Sequence, residues 1–296
     1  TQGTVTNANN TNYDITFTNG ALTIGTKALT ITADDKSKTY GEANPALTFS
    51  VAEDLTGLAA VSGSVATTAT ATTNVGSVAI TQGTVTNANN TNYDITFTNG
   101  ALTIGTKALT ITADDKSKTY GEANPALTFS VAEDLTGLAA VSGSVATTAT
   151  ATTNVGSVAI TQGTVTNANN TNYDITFTNG ALTIGTKALT ITADDKSKTY
   201  GEANPALTFS VAEDLTGLAA VSGSVATTAT ATTNVGSVAI TQGTVTNANN
   251  TNYDITFTNG ALTIGTKALT ITADDKSKTY GEANPALTFS VAEDLT

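Results

Sequence analysis

The side chains able to do chemistry in this 296-residue chain are few, and most of them are acids. Asp34, Asp35, Glu42, Glu53 and Asp54 follow one another closely, and the same five recur at each later copy of the segment. A hard cation needs clustered carboxylate and carbonyl oxygens, so if these five converge the ion they would take is calcium. Their spacing matches neither an EF-hand loop nor a glycine-aspartate nonapeptide, and solvated loop acids are the simpler account. No other cofactor is expected. A second chemistry is an internal crosslink. Lys27 opens a strand and could meet Asn92 or Asn99 near the end of the unit, or a threonine could meet Gln82, the one glutamine in 80 residues. Such bonds need a buried carboxylate beside the pair, and an exposed strand-end lysine explains Lys27 without one. A third candidate is the rank of hydroxyls in residues 66–73, Ala-Thr-Thr-Ala-Thr-Ala-Thr-Thr, which would face ice, glycan or another chain if it were flat and in register. Threonine as filler on solvent-facing strands is again the simpler account.

What the chain lacks narrows its chemistry further. It has no His, Cys, Met or Trp, and all twelve of its basic residues are lysine. Without imidazole there is no ordinary general base near neutral pH, and without thiolate there is neither that nucleophile nor a zinc-cysteine site. The chain does not read as an enzyme. Its net charge of −12 divides evenly, −3 for each copy of residues 1–56, while residues 57–80 carry none. An acidic chain without arginine is a poor ligand for nucleic acid, which is held through basic patches. It would also be repelled by anionic lipid, and no stretch approaches the roughly 20 apolar residues of a membrane span. Neither nucleic acid nor direct membrane insertion is expected.

The elements that must position these residues are set by repetition. Residues 1–80 recur unchanged as 81–160 and 161–240, and 241–296 begins a fourth copy. A fixed period defines the structural unit, and 80 residues suit a small independent domain better than a solenoid coil. The chain starts and stops within a repeat, which reads as a window from a longer array. Alternating apolar and hydroxyl residues mark strands: Leu29 and Ile31 in 28–33, Leu47, Phe49 and Val51 in 46–52, Val61 and Val65 in 61–66, and Val78 and Ile80 in 77–80. Tyr93, Ile95 and Phe97 alternate in 93–98, and Leu102 and Ile104 in 101–104. Period two over β-branched residues is the signal of a half-buried strand. Asn99-Gly100 between two such runs predicts a tight hairpin. Pro45 stands just before a strand, and 73–77 and 87–92 are polar connectors;. Residues 53–61 hold a single helical turn at most.

Six or seven short strands in 80 residues predict an all-β fold: a tandem array of small Ig-like two-layer β-sandwich domains. A β-grasp-like elongated sheet is the alternative if residues 53–60 are helical. The seam between domains is placed at Gly25-Thr26. That gives complete repeats at 27–106, 107–186 and 187–266, the C-terminal part of a truncated repeat at 1–26, and the N-terminal part of another at 267–296.

The runs "KALTITADDKSKTYGEANPALTFSV", "NVGSVAITQGTV" and "NYDITFTNGALTI" resemble the MBG-type repeats of large bacterial surface proteins. The resemblance covers the whole unit and is most specific at Tyr40-Gly41 and at Asn44-Pro45-Ala46-Leu47. Ser77 departs from it, since members often carry tyrosine there. It implies a secreted or surface-anchored adhesin or matrix protein of the bacterial cell surface, with the repeats as its stalk, and it implies no catalytic residue. The repetition points the same way on its own: identical units cannot each recognise something different, so the array supplies length or multivalency. A chain without cysteine suits a protein that crosses an envelope before it folds. The expected partners are neighbouring repeats and, laterally, other copies. The alternative is that the repeats themselves bind glycan, ice or neighbouring chains and assemble into a fibre.

Overall fold

A computed structural model describes residues 1–293. Asp294, the last counterpart of Asp54, lies outside them. Among the described residues the only helical elements are three-residue 3-10 turns such as Asn87–Asn89. No helix there is long and apolar enough to cross a membrane. The chain is all-β and built in tandem, as the alternation predicts.

Its contacts divide it into two compact units, 1–111 with 131–143 and 165–176, and 112–130 with 144–164 and 177–296. The first unit contains one whole repeat. Its strands are β1 (Lys27–Ala33), β2 (Lys36–Thr39), β3 (Phe49–Val51), β4 (Gly76–Ile80), β5 (Tyr93–Thr98) and β6 (Gly100–Gly105). The second unit contains another whole repeat with the same order, from Lys187–Ala193 to Gly260–Gly265, plus a two-residue strand at Ala226–Thr227. The intervening repeat, whose strands run from Lys107–Ala113 to Gly180–Gly185, is shared between the units.

Within residues 27–105 the strands form two sheets, ordered β3-β1-β5 and β2-β6-β4. β1 runs antiparallel to β3 and parallel to β5, in register from Lys27↔Tyr93 to Thr32↔Thr98. β2 runs parallel to β6, from Lys36↔Leu102 to Thr39↔Gly105, and β4 runs antiparallel to β6. Two continuous runs, 27–39 and 93–105, therefore pass side by side out of one sheet and into the other. Their inward positions make the core: Leu29, Ile31, Leu102, Ile104 and Ile80 are almost wholly buried. All these pairings close inside 27–105, and those of the third repeat close inside 187–265.

The Asn99-Gly100 hairpin expected from the sequence does not form. β5 and β6 do not pair with each other; the chain carries straight on between the sheets, and neither residue has positive φ. Gly100 is required for a different reason, because a Cβ there would fall 2.5 Å from the Ala33 carbonyl oxygen. The backbones cross too closely for a side chain. At the same corner Asp35 Oδ1 accepts the Ala101 N–H at 2.7 Å, replacing a ladder bond that the bend interrupts.

One further expectation is corrected, and the condition for the β-grasp alternative is not met. Residues 61–66 form no strand in the first repeat beyond the isolated bridge Ala66↔Thr81; the loop is instead fastened by buried Asn90, whose side chain exchanges hydrogen bonds with both backbone groups of Ser62. Residues 53–60 are bends and turns, without the helix that a β-grasp sheet would carry.

Candidate functional site at the junction between repeats

The five acids singled out from the sequence are each engaged locally and are not brought together. Asp34 accepts the Thr48 hydroxyl, Asp35 the Ala101 N–H, Glu42 the Thr39 N–H, Glu53 the Thr30 N–H, and Asp54 both the N–H and the hydroxyl of Thr56. Among the described residues no three acids lie close enough to share a metal ion. The hydroxyl rank at 66–73 is not a flat strand face either. Thr70, Thr72 and Thr73 gather around a turn, with the Thr73 hydroxyl accepting the Thr70 N–H. Lys27 Nα donates to the Asn92 carbonyl at the start of the β1–β5 ladder, and Gln82 Nε2 donates to the Val85 carbonyl.

The site that the structure does build lies where one repeat meets the next, and Tyr40-Gly41 is its receiving half. The turn Thr39–Glu42 carries these two residues. It is closed by the Glu42 N–H on the Thr39 carbonyl and by the Glu42 carboxylate on the Thr39 N–H. The Tyr40 N–H donates to Gly105 at the end of β6, and the Gly41 N–H to Ala71. Beneath the turn, Lys38 is buried, with its ammonium donating to the carbonyls of Glu42 at 3.0 Å and Thr70 at 2.5 Å. A charge so enclosed is tolerable because carbonyl dipoles replace its water. Gly41 adopts φ +91°, open to glycine and strained for other residues;.

The inserting half comes from the next repeat. Asp134 accepts the N–H and hydroxyl of Thr136, and the Leu138 N–H donates to the Leu135 carbonyl, so the loop presents Leu138 and Ala139;. The Tyr173 hydroxyl pins that loop by donating to the Ala139 carbonyl. Across the junction the Tyr40 and Tyr173 rings meet edge to face, 5.5 Å between centroids and 89° between planes. The Ala139 N–H donates to the Tyr40 hydroxyl at 3.3 Å, and Leu138 packs against Gly41 so closely that a Cβ there would lie 2.8 Å from Leu138 Cδ1. Asn172 adds a clasp: its Oδ1 accepts the Val75 N–H at 3.0 Å and its Nδ2 donates to Asn74 Oδ1 at 2.9 Å.

The second unit repeats the arrangement with Tyr120, Gly121, Asn154 and Val155 receiving Leu218, Ala219, Asn252 and Tyr253. Its size can be judged from identical residues in different surroundings. Tyr40 is 2% exposed, whereas Tyr200, which meets no such loop among the described residues, is 38% exposed. The difference of 36% of a tyrosine's roughly 220 Å² is about 80 Å², worth about 2 kcal/mol at 25 cal/mol/Å²;.

Electrostatics enters through the inserting loop. The Thr110 N–H holds the Glu133 carboxyl below its ordinary value, and the Thr136 hydroxyl does the same for Asp134. Burial, reinforced by the neighbouring Tyr40, pushes the Tyr173 phenol up. Sequence reading missed the junction because its halves are far apart in the chain. The signal present was the Tyr40-Gly41 pair itself, an aromatic beside a glycine at a strand exit.

Comparison with known proteins adds a single match. A family model described as MBG domain (YGX type) matches residues 29–103, 109–183, 189–263 and 269–295. No match was found among curated proteins or solved structures. The Tyr-Gly pair that forms each receiving turn falls inside every one of these four segments, which together span most of the chain, and the chain belongs to the MBG domain (YGX type) family.

Proposed function

We propose that the chain is a spacer from a bacterial cell-surface protein, a run of structural domains that holds a binding domain away from the envelope and itself catalyses nothing. The observation that carries this reading is the junction. The same aromatic pair, leucine contact and asparagine clasp join repeats in both units. A single residue, Thr106, separates β6 from the next strand at Lys107, so successive domains have little freedom to swing;. Four successive matches to the MBG domain (YGX type) family support the same reading. The reading also places the repeats outside the cell, held by no metal ion.

Small-angle scattering of the dilute chain tests the spacer role. The expected maximum dimension is close to three times that of one repeat, unchanged by chelator. A compact particle would refute the spacer role, and collapse on chelation would assign the junction to calcium. Antibody raised against the repeat should label intact bacteria, and label confined to permeabilised cells would overturn the surface location.

A further inference from the structure

The chain offers an oxidant little besides tyrosine. Cysteine and methionine, the usual first sites of oxidative attack, are absent, and so are tryptophan and histidine;. The side chains that give up an electron most easily are therefore its eight tyrosines. Four of these stand in two pairs across the junctions between repeats, Tyr40 with Tyr173 and Tyr120 with Tyr253.

More than ring contact holds each pair. In the first, the Tyr173 hydroxyl donates to the Ala139 carbonyl and the Tyr40 hydroxyl accepts the Ala139 N–H, so both phenol oxygens are drawn to the backbone of one residue. The hydroxyl ends of the rings are thereby gathered together, with the centroids 5.5 Å apart. Tyr120 and Tyr253 do the same about Ala219, again at 5.5 Å. The two Cε carbons beside a phenol oxygen carry much of the unpaired spin when the ring becomes a radical, and those are the carbons this geometry brings close. All four rings are buried, which keeps other phenols away from them. Burial does not keep an electron in, because an electron leaves through a thin layer of protein without contact between oxidant and ring.

We propose that each junction is an oxidative crosslinking site, where its two tyrosines join as dityrosine and bolt one repeat to the next. Each phenol gives one electron to an external one-electron oxidant and its hydroxyl proton to water. The two tyrosyl radicals then pair their electrons in a new bond between a Cε of one ring and a Cε of the other. The hydrogen on each of those carbons moves to its own ring's oxygen, which restores both phenols. The pair has lost two hydrogens in all, and two equivalents of oxidant have each been reduced by one electron. Rings already in contact couple as parts of one molecule, which favours this partner over any other tyrosine. The bond closes a loop from Tyr40 to Tyr173 and so restrains the repeats from parting;. It depends on the junction alone and holds whether or not the protein is a surface spacer.

Oxidation of the whole chain by photo-oxidised ruthenium tris-bipyridine with persulfate tests the inference. The chain used carries Tyr13→Phe, Tyr200→Phe and Tyr280→Phe, which removes the exposed phenols. Cleavage after lysine in denaturant then releases 39–107, 119–187 and 199–267. Each carries both tyrosine positions of one repeat, so a bond across a junction links two of these peptides and a bond within a repeat links none. The expected products are 39–107 linked to 119–187 and 119–187 linked to 199–267, with dityrosine fluorescence and a loss of two hydrogens per link. Adding Tyr173→Phe, which keeps the ring, should leave 39–107 single while 119–187 stays linked to 199–267. Recovery of unlinked peptides alone would overturn the proposal, and so would a link on 39–107 that survives Tyr173→Phe. Dimers of the uncut chain as the main product on a denaturing gel would overturn it as well, since they would show tyrosines pairing between chains rather than across a junction.

Discussion

Gly41 and Gly201 form an internal control for the junction. They share letters, neighbours in sequence and backbone, with φ +91° and +90°. A Cβ on Gly41 would lie 2.8 Å from Leu138 Cδ1, whereas one on Gly201 would meet nothing nearer than Lys267 Cδ at 3.9 Å. Alanine at either position bears the same left-handed strain, about 1–3 kcal/mol. The difference between the two variants therefore isolates contact with the next repeat. Overpacking by one methyl costs about 1–3 kcal/mol, and the lower end applies because the opposing atom is the mobile tip of a half-buried leucine;. Gly41→Ala should thus destabilise by about 1 kcal/mol more than Gly201→Ala, and in a Leu138→Ala background the excess should vanish. Urea unfolding of the whole chain, fitted as a nearest-neighbour array, reads these differences as shifts in midpoint. Equal midpoints for the two glycine variants, or an excess that persists without the Leu138 side chain, would refute the junction as described.

Stability should fall off at both ends of the pH scale. Glu133, Asp134 and their counterparts have folded pKa values below the ordinary 4.5 and 3.8, so their contribution is full above those values and is lost as pH drops through the folded ones;. Tyr173 and Tyr253 are raised above 10.0, so theirs is full below that value and is lost as pH climbs through the folded ones;. Urea midpoints should be level between about pH 5 and pH 9 and decline outside that window, and Asp134→Asn should flatten the acid limb; an unchanged acid limb in that variant counts against the loop as its source. A chain of residues 27–106 should unfold cooperatively as a monomer, while 1–80 should be less stable. In 1–80 the β5-type run directly precedes β1, and parallel neighbours need a crossover of roughly a dozen residues, so the two cannot pair. Equal melting temperatures for 27–106 and 1–80 would show that the seam is misplaced.

Local signals in the sequence located the strands well and their partners poorly. Leu29 and Ile31 announce β1 by alternation alone, and both are buried. Asn99-Gly100 carries the strongest hairpin cue in the unit, yet its glycine answers to the Ala33 carbonyl, a contact 67 positions back along the chain. Parallel pairing of chain runs this far apart leaves no trace in a short window. The acids mislead in a similar way, because their closeness in sequence suggests a shared ion while each satisfies a different N–H or hydroxyl. Residues 13–18 make the limit plain: the letters YDITFT form β5 when β1 lies alongside and no strand when it does not;. Tyr40-Gly41 was legible as a motif, but its role depends on Leu138 and Tyr173, which lie in another repeat.

The parallel course of 27–39 and 93–105 decides how a repeat meets tension. A pull on the chain enters a repeat at Lys27, where the first ladder begins, and leaves at Gly105, where the second ends. Drawn apart that way, the runs must slide past each other, loading the six residue pairs of the first ladder and the four of the second in shear at once. An antiparallel hairpin tugged at its open end parts one bond at a time, each bearing the load alone.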